Sequence, residues 1–227
     1  AWHGAWCFAA LQNALDELGV PSFAVDLPGH GVSTSPLTDL YGDARHVADV
    51  LDRLGEPVVL VGHSYGGAVI TEAASLHPDV VHLVYLTAFA LDRDESVMAM
   101  LSTIPDARVQ LGAAMRFQDD GTSVLDPQSA VPALYADCPA AAVAAAVPRL
   151  SPQPMANFGQ PMSGSPRDSV PSTYVRCLRD QAIHIAHQDA MAQRCDDVVT
   201  FDCDHSPFMS KVGDTAALLA RIARATS

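Results

Sequence analysis

Positive charge is scarce in this chain. Lys and Arg total 13 against 26 Asp and Glu, a formal charge of −13 at pH 7. That balance repels a phosphate backbone and no Lys/Arg cluster offsets it, so a nucleic-acid partner is excluded. Long apolar runs are missing as well. None approaches the roughly 20 residues of a membrane span, so no membrane partner is expected. Cysteines are few and odd in number, at Cys7, Cys138, Cys177, Cys195 and Cys203, with no Cys-x-x-Cys pair. This pattern speaks against a disulfide framework and against zinc, and for free thiols in a reducing, cytoplasmic setting. No metal or other cofactor is expected. The partner is a small neutral or cationic molecule. Repeats are absent, and the alanine-rich run at 140–146 is the one low-complexity tract.

What is present fits one α/β domain over residues 1–227. At 24.0 kDa, with 49% hydrophobic residues and a mean hydropathy of +0.14, the chain can bury a sizeable core. Leu11, Leu15 and Leu18 have helical spacing up to Gly19. Ser22 to Leu27 alternates as a strand, closed by Pro28-Gly29-His30-Gly31. Val47, Val50, Leu51 and Leu54 mark a helix over 41–54, stopped by Gly55. Strands are expected from Val58, from Val80 to Phe89, from Ser172 to Leu178 and from Val198 to Cys203. Helices fall between them, and this alternation signals a parallel sheet covered on both faces. From about 91 to 171 it breaks. Met98, Met100, Leu101, Leu111, Met115 and Phe117 indicate short helices there, and Ser151 to Pro171 reads as an irregular connection. The core is thus 1–90 with 172–227, and 91–171 is an insertion.

The most informative stretch is Val58-Val59-Leu60-Val61-Gly62-His63-Ser64-Tyr65-Gly66-Gly67. An apolar strand meets a helix across G-x-S-x-G, a turn that strains the serine backbone and exposes Ser64 Oγ near a helix amino terminus. Gly62 and Gly66 are expected to be positions where a Cβ would collide. A serine needs a base, and the base needs an orienting acid. In a parallel sheet both come from the carboxyl ends of strands. Asp180 follows one such end and His205 another. The order Ser64, Asp180, His205 is that of α/β-hydrolases. Asp180 could instead be a helix cap. Asp202, Asp204, Asp92 and Asp94 compete for the acid role, but the acid must come from a different strand to reach the far imidazole nitrogen. His184 and His187 share a helix face without a third ligand, and His63 is assigned to packing.

Three segments carry a resemblance: Ala1-Trp2-His3-Gly4-Ala5-Trp6, Gly62-His63-Ser64-Tyr65-Gly66-Gly67 and Asp204-His205-Ser206-Pro207-Phe208. With them the chain resembles an α/β-hydrolase of the branch holding plant methyl-ester esterases, hydroxynitrile lyases and bacterial relatives. The resemblance implies the α/β-hydrolase fold with a helical lid over 91–171. It also implies an oxyanion hole made by the N–H groups of Ala1 and Tyr65. In that branch an apolar strand precedes the first segment, so one or more strands are expected ahead of Ala1, and a leader peptide is left open. The lyases carry a lysine after the catalytic histidine, where this chain has Ser206.

These readings converge on a serine hydrolase that cleaves a small carboxylic ester with an apolar or aromatic part. Trp2, His3, Met98, Met115, Phe117, Tyr135 and Phe158 are the expected substrate-lining residues. A lyase or C–C bond hydrolase could use the same triad, and a small-molecule receptor could retain it. A homodimer is left open.

Overall fold

A computed structural model describes residues 1–226. The chain opens with a 3-10 turn at Ala5–Phe8 that feeds α1 (Ala9–Glu17). Helix α2 (Leu40–Leu54) starts where the Asp39 carboxylate accepts from the Gly42 N–H at 2.8 Å. It ends at Gly55, whose φ of 64° is the left-handed geometry that glycine adopts without strain. The chain then alternates through β1 (Val58–Ser64), α3 (Gly66–Leu76) and β2 (Val80–Ala88). The inserted segment holds α4 (Val97–Ser102), α5 (Leu111–Ala114), β3 (Met115–Phe117), β4 (Thr122–Leu125), α6 (Pro127–Leu134), α7 (Ala140–Ala146) and β5 (Gln153–Pro154). Alternation resumes with β6 (Ser172–Cys177), α8 (Ile185–Ala192), β7 (Asp197–Phe201), α9 (Pro207–Ser210) and α10 (Val212–Thr226).

The main sheet has the order β1-β2-β6-β7, every pair parallel, with Val61 opposite Val84, Tyr85 opposite Tyr174 and Val175 opposite Val199. Strand β2 shows why its sequence is almost continuously apolar. Leu83 and Tyr85 join the core under α2 and α3, while Val84 and Leu86 join the one under α1 and α10. A central strand must satisfy both faces. Parallel pairing puts every carboxyl end on one edge, so Ser64, Thr87, Asp180 and His205 all lie on or just beyond it.

Three expectations need correction. Ser22 to Leu27 belongs to no strand. Val25 and Leu27 pack on the core, yet β1 is the edge of the sheet and no described strand lies beside the segment to complete a ladder. Met115 and Phe117 lie in a strand, not a helix. Strand β3 pairs antiparallel with β4, and β4 with β5, around a turn at Gly121 with φ of 82°. Short apolar spacing does not separate helix from strand, and the cross-strand partners decide. The third concerns the glycines of the turn. A Cβ at Gly62 would stand 2.5 Å from the Gly66 carbonyl oxygen, but one at Gly66 would meet nothing within 4 Å. The second close approach belongs to Gly67, 2.7 Å from the Phe89 nitrogen. No helix among the described residues is long and apolar enough to cross a membrane.

Candidate active site

Ser64 ends β1 with φ of 54°, and its carbonyl accepts from the Phe89 N–H at 3.1 Å. A non-glycine residue in that region is strained, and the neighbouring strand and helix hold it there. Trp2 (φ 57°) and Thr87 (φ 39°) share the left-handed geometry. All three are on loops or strand ends at the same edge of the fold. For a β-branched residue such as Thr87 the geometry is a clear outlier.

His205 and Asp180, the candidate base and acid, meet. His205 Nδ1–H donates to Asp180 Oδ2 at 2.7 Å, with both residues buried. Because that nitrogen carries the proton, Nε2 presents its lone pair. Asp180 Oδ2 also accepts from the Thr87 hydroxyl at 2.5 Å and from Gln188 Nε2 at 3.3 Å. Its Oδ1 accepts from the Ala182 and Ile183 N–H groups at 2.6 and 2.9 Å. The carboxylate therefore caps the following turn and bonds the imidazole at once, so capping and a bond to His205 do not exclude each other at Asp180. Three of the four rivals are engaged elsewhere. Asp204 accepts from the Asp137 and Ser206 N–H groups and from the Ser210 hydroxyl, Asp202 pairs with Arg179, and Asp92 pairs with Arg167. Neither Thr87 nor Gln188 is legible in the sequence, because a threonine ending an apolar strand and a glutamine inside a helix carry no spacing signal.

His63 and His3 beside the site are neutral. His63 Nε2 is bonded to the His205 carbonyl at 2.7 Å, so that nitrogen donates, and burial holds the group well below the usual histidine range. Its ring lies 4.5 Å from that of His205 and 4.7 Å from Phe208, which is packing of the kind expected. His3 is driven down to about 3, chiefly by loss of solvation. Its Nδ1–H donates to the Ala1 carbonyl at 2.8 Å, leaving Nε2 to accept from the Tyr135 hydroxyl at 2.5 Å. His184 caps α8 by accepting from the Ala186 N–H at 3.2 Å. His187 is buried, with Nε2 on the Leu101 carbonyl.

The expected lining residues divide. Trp2 is buried, with Nε1–H bonded to Ser123 of β4, and Phe158 packs edge-on against it at 6.1 Å. Tyr135 is buried and Met115 half-buried against the core. Met98 and Phe117 are a correction. At 54% and 71% exposure they stand in solvent, on the outer sides of α4 and β3. Tyr135 also borders a groove of about 530 Å³ between α6 and α7, lined by Val131, Val143 and Val147. That groove is on the inserted segment, not at Ser64.

A parallel sheet with a strained serine at a strand-to-helix turn, and an Asp–His pair beyond two later strand ends, is the arrangement of an α/β-hydrolase. The chain belongs to the alpha/beta hydrolase family, whose model matches residues 1–218. It is similar to a putative chloroplastic methylesterase 11 of Arabidopsis thaliana, 30% identical over 239 residues that cover 97% of this chain. The chain spans 61% of that relative's length. Among solved structures, the methylesterase MES16 of Arabidopsis superposes with a TM-score of 0.82 at 26% identity, over 99% of this chain and 95% of that one. A pyrethroid hydrolase of Sphingobium faniae gives 0.83 at 25%, over 99% and 94%.

Proposed function

We propose that this protein is a serine hydrolase that cleaves a small carboxylic ester with an apolar or aromatic part through an acyl-enzyme. The observation that carries the reading is the buried 2.7 Å bond from His205 to Asp180, which sets the tautomer, on the same sheet edge as the strained Ser64. His205 Nε2 takes the Ser64 proton as Oγ attacks the ester carbonyl. The N–H groups of Tyr65 and Ala1 hold the oxyanion, and one such donor is worth about 3–4 kcal/mol in a serine protease. His205 then protonates the leaving alcohol, and water repeats the cycle on the acyl group. The esterases and hydrolases among the relatives support ester cleavage. Ser206, where the lyases of the branch place lysine, supports it over cyanide release. Trp2, His3, Met115, Tyr135 and Phe158 are assigned to the walls around the ester, under 91–171 as a lid. Free thiols at all five cysteines support a reducing compartment such as the cytoplasm.

A fluorophosphonate probe tests the reading without knowledge of the substrate. Labelling is expected on Ser64 and is expected to vanish in Ser64→Ala. Labelling elsewhere, or none, overturns it.

A further inference from the structure

Tyr65 follows the candidate nucleophile and is buried to its hydroxyl, far more firmly held than a residue that contributes only a peptide N–H requires. Its Oη–H donates to Asp43 Oδ2 of α2 at 2.8 Å. Asn157 comes from the inserted segment, 114 residues from Asp43 in the chain. Its Nδ2 donates to Tyr65 Oη at 3.0 Å, to Asp43 Oδ2 at 3.3 Å and to the Thr38 carbonyl at 3.1 Å. All three residues are about 1% exposed. The segment around Asn157 is stitched to the same turn of α2. Gln160 bonds the Leu40 N–H and Asp39, and the Tyr41 hydroxyl donates to the Pro161 carbonyl. Phe158 closes the cluster with its ring 5.4 Å from that of Tyr65.

Stability alone is a poor explanation for this network. Asp43 Oδ1 and Asn157 Oδ1 are buried and have no partner among the described residues, a costly arrangement that an apolar cluster would avoid. What the network does achieve is to pin the side chain of Tyr65, one of the two residues whose N–H groups are expected to hold the oxyanion. We propose that Asn157, acting with Asp43 on the Tyr65 hydroxyl, is a positioning residue through which the inserted segment sets the oxyanion hole. This rests on the hydrolase reading, and on the Tyr65 N–H as an oxyanion donor. With the phenol held at both its donor and its acceptor side, the peptide between Ser64 and Tyr65 keeps its direction as charge develops. With the segment displaced, the donor loses its brace.

The test uses the full chain and the variants Asn157→Leu and Tyr65→Phe, with active sites counted by fluorophosphonate titration of Ser64. Turnover of a p-nitrophenyl ester per titrated site is expected to fall about tenfold in each, the size of one lost buried hydrogen bond, with KM within twofold. The double variant is expected to lose no more than the worse single, because the three groups act as one unit. A purely structural role lowers the number of titratable sites and the melting temperature but leaves turnover per site unchanged. That result, or losses that multiply in the double variant, overturns the proposal while the hydrolase reading stands. If the wild-type protein is not labelled at Ser64, the hydrolase reading falls and takes this one with it.

Discussion

Thr87 combines backbone strain with a hydroxyl that donates to the Asp180 carboxylate, the partner of His205. Strain of this kind persists only where surrounding structure over-determines it, and here its product is one more donor on Asp180. Thr87→Val keeps the shape and deletes the donor, and kcat is expected to drop about tenfold with the fold retained. Thr87→Ser is expected to restore most of it, and steady-state kinetics with circular dichroism separates the two. At Ser64, replacement by alanine is expected to remove at least about a thousandfold of kcat without lowering the melting temperature. Asp43 offers a pH signature. Burial raises its carboxyl to about 7, against the influence of the hydrogen bonds from Tyr65 and Asn157, with Asp39 adding to the rise. A group raised on folding stabilises the native state below its unfolded value near 3.8, and that contribution is lost as pH rises through about 7. The melting temperature of the wild type, measured relative to Asp43→Asn, is therefore expected to decline from pH 5 to pH 8.

The strand-to-helix turn is an element-scale device, and its glycines are unequal. Gly67→Ala pushes a methyl against the Phe89 backbone and is expected to cost about 1–3 kcal/mol in denaturant unfolding. Gly66→Ala meets open space and is expected to be neutral or stabilising by up to about 1 kcal/mol. Equal effects would contradict the packing described here. The contrast shows where sequence reading loses power. The motif Gly62-His63-Ser64-Tyr65-Gly66 announces the turn, but which glycine faces a neighbouring strand depends on how β1 and β2 register. Helix ends were legible for the same local reason that Gly55 stops α2. Strand β3 was not, because its pairing with β4 is a contact that no local spacing encodes.

At the scale of the molecule, the formal charge of −13 at pH 7 gives the chain a net negative long-range field. An ester bearing a free carboxylate is expected to show kcat/KM rising with added salt, whereas a neutral ester of equal size is expected to be insensitive. Stopped assays over a range of ionic strength read this directly. The inserted segment adds a second whole-molecule feature. It reaches back to α2 through Asn157 and Gln160, and to α3 through Ser163 on Glu72, so residues far apart in the chain act on one edge.

Residue order alone determined the alternation of strands and helices, the turn that lifts Ser64, and the strand ends that bear Asp180 and His205. These follow from periodicity and turn chemistry, which act over a few residues. Only the tertiary structure decided that Asp180 serves as both cap and partner, that Thr87 and Gln188 brace it, that Phe117 faces solvent, and that Asn157 reaches Tyr65. Each of those is a meeting of side chains separated by long stretches of chain, and proximity of that kind exists only once the sheet has registered and the segments have packed.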